Sequence, residues 1–259
     1  MSLTYDRYLK LGELLSLQQP LSDGPEHDEM LFIVIHQVYE LWFKQELHEL
    51  AFLQEALEGD DLPTAQATFK RILTILKILV AQVDILETMT PVSFESFRRR
   101  LEAASGFESL QFRELEFVLG VRKGAMIAHH EDTGGARVLA GRLRERSLYD
   151  SFLRFLARRG YAIPAEALDR DLAGPPVEDG RIREILVGVY HRDPAAREVC
   201  ERMVDLDEGV QEWRYRHVKM VERTIGTKPG TGGSAGAEYL KRTLFQPLFP
   251  DLWAIRSEL

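Results

Sequence analysis

Asp193-Pro-Ala-Ala-Arg-Glu-Val199-Cys-Glu-Arg-Met203-Val-Asp-Leu206-Asp-Glu-Gly-Val210-Gln-Glu-Trp213-Arg-Tyr-Arg-His217-Val-Lys-Met220 carries one apolar stripe along a single helix. Val199, Met203, Leu206, Val210, Trp213, His217 and Met220 follow one another at steps of three and four. That spacing returns each side chain to the same helical face, so the stripe faces packing partners. Asp193 is placed to cap the helix, Pro194 suits its first position, and Gly226 ends it. One slot of the stripe is an imidazole, His217.

A second histidine, His36, lies in Met30-Leu-Phe-Ile-Val-Ile-His36-Gln-Val-Tyr-Glu-Leu-Trp-Phe43. The spacing predicts a helix from about Asp28 to Glu58, apolar nearly all round in its middle and so buried on several sides. Asp60-Asp61-Leu62-Pro63 restarts the chain, with an acidic cap and a proline tolerated in the first turn. Ala65, Phe69, Ile72, Leu76, Leu79, Val83 and Leu86 then mark another helix. Thr90-Pro91 opens a short segment to about Leu101. Ser105-Gly-Phe-Glu108 has capping-box spacing and predicts a helix to Leu119, stopped by Gly120. His129 to Gly135 reads as a surface loop, and Ser147 to Arg159 as an amphipathic helix. Gly174-Pro175-Pro176 reads as a linker or boundary, and Arg181 to Tyr190 as a helix. No run alternates in the manner of a strand. The fold class expected is all-α and bundle-like, with residues 1–259 forming one domain.

The 259 residues include 45% apolar side chains, enough for a sizeable core, and carry a formal charge of -8. That charge disfavours nonspecific binding to nucleic acid or an acidic membrane. The single cysteine, Cys200, excludes a disulfide framework or a cysteine-rich metal site within one chain and points to a reducing, cytoplasmic setting. No basic segment followed by an apolar run opens the chain, and no apolar stretch approaches the roughly 18 residues of a membrane span. No leader and no span are expected.

Burying an imidazole is costly unless its nitrogens find partners. His217 is therefore either a core histidine donating to a carbonyl or a ligand of a metal or haem iron, its other nitrogen fixed by an acceptor. His36 shares a face with Phe32, Tyr39 and Phe43, which suits either a core or an aromatic pocket for a planar ligand. Metal-site alternatives are limited. No His-Glu-x-x-His occurs, no histidine follows a glutamate by three, and Cys-x-x-Cys-His is absent. Within Ser96-Phe-Arg98-Arg-Arg100, one guanidinium can turn inward while the others stay wet, and an inward Arg98 would suit a carboxylate. Gly226 to Gly236 is rich in glycine and hydroxyls without P-loop spacing; it reads as a connector or as a lid, with Thr231 the candidate ligand contact. Tyr5, Tyr8 and Leu9 are either anchors of a loose terminus or a docking segment for another subunit. Trp213, Phe107 and Phe112 read as core.

Taken together, Tyr5-Asp-Arg-Tyr8-Leu9, His27-Asp-Glu-Met-Leu-Phe-Ile33, His36-Gln37 with Glu40-Leu-Trp42, Phe97-Arg98, Ser105 to Arg113, Trp213-Arg-Tyr-Arg-His217 and Gly230-Thr-Gly-Gly-Ser234 resemble the bacterial tryptophan 2,3-dioxygenase family, in order and across nearly the whole chain. The resemblance implies an all-helical homotetramer with noncovalent haem b, ferrous when active. It implies conversion of L-tryptophan and O2 to N-formyl-L-kynurenine, in tryptophan catabolism by the kynurenine route. It places the proximal iron ligand on His217 and the distal histidine, contacting the indole N–H, on His36. Phe32 would pack on the indole, Arg98 would take the carboxylate, and Thr231 would meet the amino-acid end. Ser105 would lie near the distal haem pocket. Residues 1–25 would form an arm whose Tyr5, Tyr8 and Leu9 complete a neighbouring subunit's site. Phe94 departs from a tyrosine found in some relatives, and Ala235 from a serine. The rival readings are a related indoleamine 2,3-dioxygenase-like enzyme of broader substrate range, and a helical interaction protein whose histidines are core.

Overall fold

The computed structural model describes residues 2–24, 26–102, 104–122, 124–130, 134–174, 179–231 and 236–259. Every regular element among them is helical. Two short helices, α1 (Tyr5–Leu9) and α2 (Leu11–Leu14), precede the long α3 (His27–Glu58) and α4 (Leu62–Leu86). Asp61 caps α4 by accepting from the Thr64 N–H, with Pro63 inside the first turn. The short α5 (Pro91–Arg98) is capped by Thr90 and starts on Pro91. Further along lie α6 (Leu110–Val118), α7 (Ala125–His129), α8 (Gly135–Arg142), α9 (Leu148–Arg158), α10 (Ala165–Leu168) and α11 (Gly180–Arg192). Ser147 and Asp150 close a reciprocal capping box on α9. The second long helix, α12 (Pro194–Ile225), is followed by α13 (Ala237–Lys241) and α14 (Pro250–Ala254). Asp193 caps α12 through the Ala196 N–H, and Gly226 stops it at φ +61°.

α4 packs along both α3 and α12, while α6 meets the middle of α3 and α9 its C-terminal end. Gly209 allows the α12–α4 approach: a Cβ there would stand 2.6 Å from a Leu76 methyl. The apolar steps of α4 are all buried, and Val199, Met203 and Leu206 of α12 lie in the same core. A smaller cluster of Ile35, Val83, Leu86, Met89, Phe94, Phe97 and Met220 joins α3, α4, α5 and α12 at one end. No helix among the described residues is long and apolar enough to cross a membrane.

Several expectations change. Ser105 accepts from the Phe107 N–H, but only a single 3-10 turn, Gly106–Glu108, follows. Ser109 is extended and caps α6 anew through the Phe112 N–H, while Glu108 is drawn away to His129 Nε2 at 2.7 Å. The capping box therefore does not form. His130 is buried rather than on a surface loop, because α7 and α8 close over it. Residues 131–133 of that stretch, and Pro175-Pro176 of the expected linker, lie outside the described residues. Within one chain, α3 is not covered on every side: Met30, Val34, Leu41 and Phe52 are exposed. Its packing partners reach only one flank.

Candidate active site

Between α3, α5, α12, the Ser105–Glu116 stretch and the Gly226–Gly236 loop lies a cavity of about 230 Å³. His36, Phe32, Arg98, Ser105, Thr231 and His217 all line it. Six residues scattered over some two hundred positions thus converge on one space.

His36 is oriented by its own helix. Its Nδ1–H donates to the Phe32 carbonyl at 2.7 Å, one turn back. A carbonyl can only accept, so the proton resides on Nδ1 and Nε2 is left as an acceptor. Burial lowers the His36 pKa and keeps the ring neutral. The Phe32 ring lies 4.1 Å from the imidazole and also touches Phe94 and Phe97. The wall around the acceptor is therefore aromatic.

His217 is pulled further. Burial, then the nearby His36 and Arg113, brings its pKa down to about 4, so the imidazole is neutral. Trp213, one turn earlier, stacks on it with centroids 5.2 Å apart and planes 9° from parallel. Neither ring nitrogen bonds to a described residue: neither the carbonyl of the core reading nor the acceptor that would fix a ligand's second nitrogen is found among the described residues, and the ring's edge stays open to the cavity. A neutral imidazole with one unclaimed lone pair at a cavity wall has the chemistry of a metal ligand. No group of three or more histidine, cysteine, aspartate or glutamate side chains among the described residues could hold a bare ion. A metal here would arrive with most of its ligands already in place.

Arg98 does turn inward, and Arg99 and Arg100 stay exposed. Its guanidinium donates to the Pro229 carbonyl at 2.6 Å and lies 3.7 Å from Glu95. Lys228 bonds the same Glu95 at 2.8 Å, and Thr231 donates to the Ala104 carbonyl at 3.0 Å. The glycine-rich loop is thus tied down along its first half. Gly236 sits at φ +60°, and a Cβ there would meet the Lys228 carbonyl oxygen at 2.6 Å. Only glycine closes the loop this tightly. Gly232, Gly233, Ser234 and Ala235 lie outside the described residues.

Part of the wall escaped the sequence. Arg113 and Arg214, both buried, share Glu116: Arg113 at 2.7 Å and Arg214 at 3.5 Å. Buried Asp207 adds a second negative charge acting on Arg214, and the Arg113 Nε is buried with no hydrogen-bond partner among the described residues. Only the three-residue spacing of Arg113 and Glu116 hinted at this, and such spacings are usual on wet helix faces. Phe107, Phe112 and Trp213, expected as core, also line the cavity. Large aromatics serve both surfaces at once. Tyr5, Tyr8 and Leu9 are exposed on α1, which buries no residue, and do not line this chain's cavity.

Neutral imidazoles on two helices, an inward arginine and a tied loop define a small-molecule site of an all-helical protein. The sequence model of the family described as tryptophan 2,3-dioxygenase matches residues 1–136 and 181–259. A tryptophan 2,3-dioxygenase from Herpetosiphon aurantiacus is 58% identical over 258 residues, covering 100% of this chain and 99% of its own. One from Anaeromyxobacter sp. (strain K) is 59% identical over 261 residues, covering 100% and 97%. A third, from Kineococcus radiotolerans, is 45% identical over 262 residues, covering 99% and 91%. The chain belongs to the tryptophan 2,3-dioxygenase family.

Proposed function

We propose that this chain opens the indole C2–C3 bond of L-tryptophan with O2, giving N-formyl-L-kynurenine, with haem b held by His217. The observation that carries the reading is the neutral His217 imidazole, its nitrogens unclaimed, in the wall of the cavity that also holds His36 and Arg98. Bound haem supplies O2 activation, which no side chain provides. The residues present fit such a group. His217 would offer a nitrogen to its iron, and the Arg113 and Arg214 guanidiniums in the same wall would suit its carboxylates. Ser105 borders the same space; its oxygen accepts from Phe107, leaving its own proton to donate.

The remaining side chains handle the substrate. Phe32 packs on the indole, and the His36 Nε2 acceptor takes the indole N–H, which fixes the ring's direction. A neutral, buried His36 orients; it is not a strong base, and the indole N–H is a very weak acid. Arg98 takes the carboxylate in a two-pronged pair. Thr231 meets the amino-acid end as the loop excludes water. Holding the reacting carbons in place converts an encounter into an intramolecular step.

The exposed Tyr5, Tyr8 and Leu9 serve a neighbouring copy in a homotetramer, residues 1–25 acting as the arm of a single 1–259 domain. Tyr5 lies by the cofactor there, and Tyr8 and Leu9 by the indole. The setting is cytoplasmic, and neither nucleic acid nor a membrane is a partner. The test is anaerobic reduction of the haem-loaded protein, followed by O2 and L-tryptophan with product absorbance recorded. Formation of N-formylkynurenine is expected. A protein that stays colourless after haem supplementation, with no product, overturns the reading.

A further inference from the structure

Beside the main cavity lies a second one of about 50 Å³, lined by residues of α3, α4, α6 and α12 and by Leu248. Its walls are almost wholly carbon: Leu50, Leu76, Leu79, Leu115, Leu119 and Leu206 are all buried and face it. Phe43, Phe112 and Trp213 line both cavities. Their rings touch one another, at 5.6 Å for Phe43–Phe112 and 5.0 Å for Phe112–Trp213. They form a thin aromatic partition, and its Trp213 face is the one stacked on His217.

The space exceeds the roughly 10–15 Å³ that a single water needs, but a water also needs two to four polar partners. Three ionisable side chains border the cavity: Glu46, Glu116 and Arg214. Glu116 and Arg214 are paired with each other. The Glu46 Oε1 and the Trp213 Nε1 are both sealed from any water-sized visitor, and neither has a hydrogen-bond partner among the described residues. Burial, then Glu49, pushes the Glu46 carboxyl up to about 8, so it adds no charge at neutral pH. A small cavity of this character stays dry and takes apolar guests.

We propose that this second cavity is a staging site for dioxygen, an apolar diatomic, which reaches the main cavity past the Phe43–Phe112–Trp213 partition. The assignment of dioxygen rests on the activity proposed above; the apolar site itself does not.

Crystals of the haem-loaded protein under xenon pressure test the site. Xenon between Leu50, Leu76 and Leu206 is expected whether or not the enzyme turns over. An ordered water there, or no xenon, overturns the proposal. Val210, which borders this cavity alone, provides the kinetic test. Val210→Phe should fill the space, abolish xenon binding and raise the KM for O2 several-fold. The KM for tryptophan and the haem spectrum should not change. Loss of xenon with an unchanged KM for O2 overturns the staging role. Val210→Leu, a smaller filling, gives an intermediate shift and serves if Val210→Phe does not fold. If the parent protein consumes no O2 with tryptophan, the activity reading fails on its own, and xenon occupancy still decides whether the apolar site exists.

Discussion

Trp213 lies flat against His217, one helical turn apart, with ring planes 9° from parallel. The stack holds the imidazole by its face and leaves both nitrogens at its edge. This is the grip expected of a residue that must present a lone pair in a fixed direction. His217→Ala should therefore lose the Soret band on gel filtration after haem loading, while the fold persists. Added imidazole should restore part of the absorbance. Normal turnover by His217→Ala would reject its role as ligand.

The same histidine ties stability to pH in the haem-free protein. Its folded pKa is about 4, against 6.5 in an unfolded chain. Between those values the unfolded chain binds a proton that the folded one refuses, so stability rises with pH. The contribution is whole above pH 6.5 and is lost as pH falls toward 4, at most about 3 kcal/mol. His36, also lowered by burial, acts in the same direction. Urea unfolding of haem-free protein at pH 7 and pH 4.5 measures this, and His217→Gln should flatten the difference. An unchanged pH slope in that variant would exclude His217 as its source.

Arg98 has two duties. It faces the cavity and holds the Pro229 carbonyl of the loop. Arg98→Ala should raise the KM for tryptophan by the equivalent of about 2–5 kcal/mol, the usual cost of a desolvated charged contact. Arg98→Lys should recover little, because an ammonium lacks the planar fork. The specific readout is selectivity: the parent should strongly prefer tryptophan over tryptamine, and Arg98→Ala should not. A parent that handles both equally would remove the carboxylate from Arg98.

The long helices and their caps were legible because period, cap and stop coincide. Asp193-Pro194 and Gly226 bound α12 as the residue types require. Thr90-Pro91 and Asp61 did the same for shorter stretches. Ser105 misled because two serines, Ser105 and Ser109, compete to cap within four residues, and the second wins α6. The paired histidines could be singled out as polar groups on apolar stripes. Arg113, Glu116 and Arg214 could not, since nothing local distinguishes a buried ion cluster from a wet one. Tertiary closure of α6 on α3 creates that difference. The exposed Val34, Leu41 and Phe52 show the reverse: part of the apolar pattern is left uncovered by this chain's own helices.

Gly236 provides a test of the loop that acts through the backbone rather than through a side chain. Its φ of +60° and the 2.6 Å approach of the Lys228 carbonyl both exclude a side chain. Gly236→Ala should cost about 1–3 kcal/mol of loop closure. The KM for tryptophan should rise while haem absorbance stays constant, since His217 is on α12. A parallel loss of haem would place Gly236 in the fold's stability rather than in closure.

Glu46 gives a pH dependence of opposite sign to His217. Its carboxyl is pushed from 4.5 up to about 8, by burial first and Glu49 second. Between those values the folded chain holds a proton that the unfolded chain releases. Stability from this group is therefore whole below pH 4.5 and is lost as pH rises through 8, by up to about 5 kcal/mol. Glu46→Gln keeps the shape and cannot ionise, so its stability should fall less between pH 6 and pH 9 than the parent's. The slope is the decisive quantity, because the new amide brings donors of its own and shifts stability at every pH. Parallel curves for parent and variant would mean that Glu46 is charged in the folded protein. The aromatic partition would then border a buried anion, and the dry character argued for the second cavity would fail with it.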